Sequence, residues 1–396
     1  MKQNTLIGER LRLLRQARNL SLDELCAKLG GIISKQAISK YERNLSYPSP
    51  KVLTKVAQAL GVKASSLWAE PRISVDFIAY RKGSGLSESE QNRIKSLVTE
   101  ILEDWADLQE LVEGEGAEIP IQSKNVQQVE DAENIANEFR QEWNLGIAPI
   151  ANVVGMLEEH NIFVVEVKAE EKFDGISAIA QKEDKKVRAA AVVSRSGIPG
   201  ERQRLNLLHE LGHLLLNVPS NVDEEKAAFR FGAAVLAPQE AVYKEVGNSR
   251  SKITFDELML LKKKFGISLQ AIVYRLKDLG VINQSYYQTW FTYINQQGWK
   301  KHEPDEWIPE KPQWLRKNVL RAFAEKAITL DRAEHLLGEK LESDQNISLI
   351  RRKAFMQLPL LERRRILSEQ ARKYSSDYSP DNDWMEMQGG KDVFDE

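Results

Sequence analysis

The chain has 396 residues and a formal net charge of −2, enough length for two or three domains. It has no apolar run of about 18 residues, and the N-terminal Met-Lys-Gln-Asn-Thr lacks the apolar core of a signal peptide. Neither a membrane partner nor secretion is expected. The single cysteine, Cys26, excludes an intramolecular disulfide and a cysteine-ligated zinc, and fits a reducing cytosol.

Charge is divided unevenly along the chain. Residues 1–70 hold 12 Lys/Arg against 5 Asp/Glu, a net of +7, so the remaining 326 residues carry −9. A basic module on an acidic body points to a polyanion partner for the first part only. Within it, Leu6, Leu11, Leu14, Leu22, Leu25, Leu29, Ile38, Val52, Leu53, Val56 and Leu60 recur at helical spacing. Breaks near Asn19, Gly30-Gly31, Asn44 to Pro50 and Gly61 divide them into roughly four or five short helices. Cys26 sits between Leu25 and Leu29 on an apolar face, the place of a structural thiol.

The informative stretch is Ser34 to Arg43. Ser34, Lys35, Gln36, Ser39 and Lys40 line one exposed helix face, while Ala37, Ile38 and Tyr41 turn inward. Gln suits bidentate contact with adenine, and Lys suits guanine or phosphate, so the face reads as a recognition helix for double-stranded DNA. A basic helical module that binds only protein is the alternative. Residues 5–70 resemble the XRE (phage-repressor-like) helix-turn-helix family, most closely at Ala37 to Arg43. The turn Gly30-Gly31-Ile32-Ile33 departs from the family by being longer.

Residues 71–124 read as a linker. The Gly-rich stretch 82–85 leads into a long amphipathic run with Ile94, Leu97, Ile101, Leu102, Trp105, Leu108 and Leu111. Without clean heptads it reads as a helix docked on the body in preference to a coiled coil, with a homodimer helix left open. A break follows at 114–122.

The body, 125–295, opens with helical runs over Ala132–Trp143 and Ile150–His160. Strand-like runs Ile162–Val167 and Val187–Val193 follow, separated by Phe173 to Ala178. Leu207 to Leu216 then encloses His209, Glu210 and His213, an H-E-x-x-H pattern. Positions four apart return to one helix face, so the two imidazoles can share a metal, and Glu210 lies one position round, placed to deprotonate a water. A buried helix that merely carries these groups would be expensive without a partner.

A tetrahedral catalytic zinc needs a third protein ligand. Pro219 to Asn221 break the helix, and Asn221 with Glu224 reads as a capping box opening the next one, which runs to Pro238. Of Asp223, Glu224 and Glu225, the chosen ligand is Glu225, which has the E-x-x-A spacing to Ala228. Glu224 is the runner-up. All three acids merely complementing a helix N-terminus is the alternative. A small sheet followed by such a helix is the zincin arrangement, in which an edge strand can pair with an extended peptide.

Gly146 to Ile150, Phe173 to Ser177, Arg204 to Leu215, Glu225 to Pro238 and Leu258 to Gly280 together resemble the ImmA/IrrE metallopeptidase domain, over roughly 125–295. With the basic module the chain resembles the known fusion of the two. The resemblance implies Zn2+ held by His209, His213 and Glu225, with Glu210 as the base. It also implies a bacterial or phage regulator that cleaves, or senses alongside, a transcription repressor. Ala237 stands where the family carries Met or Leu before the proline.

Two functions remain open from these residues. One is a DNA-binding transcription regulator whose zinc-dependent endopeptidase cuts a protein substrate, a repressor or other regulator, in a stress or phage response. The other is a non-proteolytic repressor or antitoxin-like regulator whose zinc domain senses or assembles. The intact Glu210 favours chemistry. No oxyanion-stabilising residue can be identified from the sequence; Tyr274 reads as a core residue, with oxyanion stabilisation as the lesser alternative. His160, His302 and His335 have no spacing partners and read as structural or surface residues.

In residues 296–376, Trp299, Trp307 and Trp314 interleave with Pro304, Pro309 and Pro312, which reads as an ordered irregular connection. Helical runs near 315–340 and 346–372 follow. Residues 377–396 carry seven acids against one lysine and read as an acidic tail. The fold class expected is α+β, mostly helical: a helical helix-turn-helix domain, a zincin-like metallopeptidase domain with a small sheet, and a helical C-terminal region.

Overall fold

A computed structural model describes residues 3–68, 73–78, 86–114, 119, 121–182, 187–341 and 353–375. The Gly-rich stretch 82–85 and the acidic tail 377–396 lie outside the described residues, as does part of the helical run expected near 346–372. Contacts divide the chain into a large unit, residues 1–328, and a smaller one, residues 329–396. The fold is α+β and mostly helical, and no described helix is long and apolar enough to cross a membrane.

The first residues form four helices: α1 (Gln3–Ala17), α2 (Leu22–Lys28), α3 (Lys35–Glu42) and α4 (Pro50–Leu60), with a 3-10 turn at Ala64–Leu67. Their starts are written in side chains. Ser21 and Glu24 make a reciprocal capping box on α2, and the Ser34 hydroxyl accepts from the Ala37 amide on α3. Leu11, Leu14, Leu25, Ile38, Leu53, Val56 and Leu60 meet in one core, and Cys26 packs beside it with its thiol donating to the Ile33 carbonyl.

Residues in the stretch read as a linker do more than connect. Ser74–Phe77 form strand β1, and Glu88–Glu113 form one 26-residue helix, α5. Ile94, Val98, Leu102, Trp105 and Leu108 of α5 are buried. On its other side Glu100 takes both guanidinium nitrogens of Arg18 at 2.9 and 3.0 Å, and Glu103 pairs with Arg10. The amphipathic stripe is therefore spent inside the large unit, against α1 and the sheet.

The body contains β2 (Lys124–Asn125), α6 (Asp131–Glu142), α7 (Val153–Glu159), β3 (Ile162–Val167), β4 (Gly175–Gln181), β5 (Val187–Arg195), α8 (Gly200–Leu215), β6 (Leu216–Asn217) and α9 (Glu224–Leu236). Four strands make one sheet in the order β1-β4-β5-β3, with β3 parallel to β5 and the other pairs antiparallel. The segment around Phe173 to Ala178, read as a separator, opens β4. Its alternation is hidden because both faces are covered: Ile176, Ser177, Ala178 and Ala180 are all fully buried. A short parallel pair, β2 with β6, stands apart.

Helices α10 (Gln239–Val246), α11 (Phe255–Phe265), α12 (Leu269–Asp278) and α13 (Gln284–Gln296) complete the main core, and α14 (Trp314–Ala324) closes the unit. Trp314 packs with Phe163 of β3 and Trp105 of α5, at ring separations of 4.6 and 5.8 Å. The irregular stretch before α14 straps the start of α8. The Gly200 amide donates to the Trp307 carbonyl at 2.8 Å, and Glu310 pairs with the buried Arg204. The smaller unit contributes α15 (Leu330–Leu337) and α16 (Leu360–Ser375).

Candidate metal centre and nucleic-acid interface

Helix α8 is buried almost all round, with β4 and β5 on one side and α9 on the other. Its leucines supply the burial energy, while His209, Glu210 and His213 are carried into the interior at 6%, 5% and 4% exposure. Small residues let α9 come close. A Cβ on Gly232 would stand 3.0 Å from the His209 backbone nitrogen, and Ala228 faces Gly212. That approach delivers the first turn of α9 to the histidines.

The cap of α9 differs from the sequence expectation. Asp223, not Asn221, caps the helix: its carboxylate accepts from the Lys226 amide at 3.1 Å and pairs with the Lys226 ammonium at 2.8 Å. A cap must sit one residue before the first helical position, and the helix begins at Glu224, too late for Asn221.

Glu225 and Glu224 then take different places. The Nε2 atoms of His209 and His213 lie 3.1 Å apart, and the Glu225 carboxylate stands 3.5 and 3.7 Å from them. These three residues can each offer a ligand atom within 4.8 Å of the others. A tetrahedral zinc with ligands at about 2.0–2.2 Å has ligand–ligand edges of about 3.3–3.6 Å, so the donor set fits the ion. Glu224 turns to the far nitrogen of the ring, its Oε1 3.1 Å from His213 Nδ1. A proton held on Nδ1 by a carboxylate leaves the Nε2 lone pair aimed at the other two groups. Burial, and then the neighbouring His209, push the His213 pKa below its ordinary value, which keeps that lone pair available.

Glu210 lines the same cleft as His209 and Glu225. Strand β4 passes so close that a Cβ on Gly175 would meet Glu210 Oε1 at 2.7 Å and the Val193 carbonyl at 2.9 Å. Only glycine allows the sheet to lie against this carboxylate. The cleft holds about 520 Å³. Its wall is a run of rings leading away from His209: Phe229, Tyr274, Tyr287 and Phe291, with successive centroids 5.9, 6.1, 6.1 and 5.8 Å apart. Tyr274 is thus a half-buried cleft residue, not a core one, and burial raises its pKa. Of the other histidines, His160 stacks on Trp143 at 3.7 Å, while His302 and His335 are exposed.

On the N-terminal bundle, Ser34, Lys35, Gln36 and Lys40 are exposed along α3, and Ser39 is half-buried. Ser34 is also the cap, and Lys35 reaches Asp23 of α2 at 2.6 Å. Not all of the basic surplus faces outward: Arg15 is held by Glu42, and Arg10 and Arg18 by α5. Gly30 and Gly31 of the turn both take positive φ, 67° and 68°, which lets a long turn reverse without strain.

Several residues escaped the sequence reading. Arg43, the C-cap of α3, is exposed beside the same face, with its Nε donating to the Ser39 carbonyl at 3.2 Å. Glu224 as a support for His213 was signalled only by two adjacent acids, of which one alone can face the metal side. Tyr287 and Phe291 had no signal, because α13 reaches the cleft only through tertiary packing.

Two family models match the chain. One, described as helix-turn-helix, covers residues 11–67, and the other, described as an IrrE N-terminal-like domain, covers residues 192–277. The second spans α8, α9 and most of α12, and stops short of α13. No curated protein matches the chain.

Proposed function

From a chain that joins an XRE-type helix-turn-helix domain to an ImmA/IrrE-like peptidase domain, we propose a DNA-binding transcription regulator that cuts a protein substrate with a bound zinc ion. The observation that carries this is the juxtaposition of His209, His213 and Glu225 within 4.8 Å, with Glu210 in the same cleft. His209, His213 and Glu225 would hold the zinc, which would supply Lewis acidity toward a water and a peptide carbonyl.

The protein's own groups do the rest. Glu224 orients His213, and Gly175 leaves room for Glu210 to sit against the sheet. Glu210 accepts the proton of the attacking water and passes it to the leaving amine. The ring-lined wall takes an apolar side chain of the peptide. The substrate in this reading is a transcription regulator, bound while α3 lies in the major groove of its operator, with Lys35, Gln36, Lys40, Ser34 and Ser39 as contacts. A reducing cytosol suits the one half-buried thiol.

Incubation with the product of a neighbouring repressor gene, with and without chelator, followed by mass analysis, tests the proposal. Two fragments formed only without chelator are expected. An intact substrate under both conditions would instead support a repressor whose zinc domain senses or assembles.

A further inference from the structure

The face of β4 packs on Glu210 at Gly175, and the outer edge of the same strand is already taken. β1 pairs antiparallel along it, with Ser74, Val75, Asp76 and Phe77 opposite Gln181, Ala180, Ile179 and Ala178. The Ile78 amide continues the ladder, donating to the Ser177 carbonyl at 3.0 Å. Pairing thus advances toward Gly175, the residue packed on Glu210, and the last described bond stops two residues short of it.

The zincin arrangement pairs an extended peptide on a strand edge, and we propose that residues 74–78 occupy that edge here as an internal stand-in that the peptide must displace. The proposal rests on the peptidase reading only for calling that peptide a substrate. An uncovered strand edge captures other strands, and covering it prevents that. The cover here is short: four strand residues, of which Ser74 and Asp76 are exposed and Val75 and Phe77 half-buried. So few ladder bonds and so little buried side chain leave exchange for a longer peptide energetically open. The alternation of β1 also defines the partner. It is an extended segment with apolar residues two apart, as Val75 and Phe77 are, and small or acidic residues between them.

The edge can be locked and unlocked. Ser74 and Gln181 are directly opposite, so S74C/Q181C in a Cys26→Ser background places two thiols at disulfide range. The probe is a fluorescent synthetic peptide, Ile-Ser-Val-Asp-Phe-Ile, copied from residues 73–78, with binding read by anisotropy. Reduced protein should bind it, and oxidation should weaken binding about tenfold or more, reversibly with dithiothreitol. Asp76→Pro removes a donor that faces β4, since the amides of 74, 76 and 78 point into the ladder, and should tighten binding relative to the parent chain. Equal binding by the oxidised and reduced forms overturns the proposal, even where the proline variant does not fold. Cleavage of a longer peptide is followed in parallel. Binding that follows the lock while no form cuts any peptide removes the peptidase reading and leaves the edge assignment standing.

Discussion

The α3 face and the α8–α9 centre are both polar clusters on helices, but the protein treats them in opposite ways. Lys35, Gln36, Lys40 and Arg43 stand in solvent on a small bundle, where keeping them hydrated costs little. Interaction there is long-ranged and screened by salt. His209, Glu210 and His213 are almost fully buried among leucines, where each group must find a partner or be expensive. Exposed polarity suits recognition of a charged ligand, whereas buried polarity suits proton transfer or metal binding, because electrostatic interactions strengthen where bulk water is reduced.

Substitutions sharpen that contrast. The largest effect is expected from Glu210→Gln, which keeps the shape of the side chain and both imidazoles. Cleavage should fall by about 10²–10⁴ while metal content and operator binding stay at parental levels. Regulation in cells that is untouched by this change would break the contrast, since the buried site would then perform no proton transfer.

Metal occupancy is the next test. His213→Ala should lose most bound zinc in elemental analysis, and chelation of the parent should lower the melting temperature. Glu225→Gln should weaken zinc strongly, whereas Glu224→Gln should cost about 10–100-fold in affinity, as for a carboxylate that only orients a ligand. Equal effects at both positions would make Glu224 a ligand as well.

For the exposed cluster, Gln36→Ala in the full chain should reduce discrimination between operator and random duplex by about 1–3 kcal/mol. Binding throughout should weaken steeply as salt rises. Equal loss on both duplexes would show that Gln36 does not read bases. The smallest expected effect is at the cleft rim: Phe291→Ala should raise KM for an apolar peptide by a few-fold, the worth of about 1 kcal/mol for one ring contact, with kcat little changed. An unchanged KM would leave α13 out of substrate binding.

The two regions also differ in how legible they were. The α3 face could be read because a solvated helix on a small bundle follows its own period: Ile38 went in, and Lys35, Gln36 and Lys40 stayed out. Strands β3 and β5 were visible as apolar runs. β4 was not, since Gly-Ile-Ser-Ala-Ile-Ala carries no alternation when helices cover one face and α8 the other. β1 was missed for a different reason. Ser-Val-Asp-Phe is too short to stand out, and it becomes a strand only because β4 offers it an edge.

Sequence alone determined what spacing can encode within one helix: the two imidazoles a turn apart, the glutamate beside them and the alternation of solvent and core along α3. Those relations depend on residues three or four apart and hold wherever the helix lies. What only the tertiary structure decided is which atoms meet across elements. Glu225 and Glu224 are neighbours in sequence, yet one faces both Nε2 atoms and the other faces Nδ1, because Gly232 and Ala228 set the approach of α9 to α8. The placing of Gly175 against Glu210, and of residues 74–78 on the same strand's edge, is likewise a matter of close packing between distant segments, which no local period records.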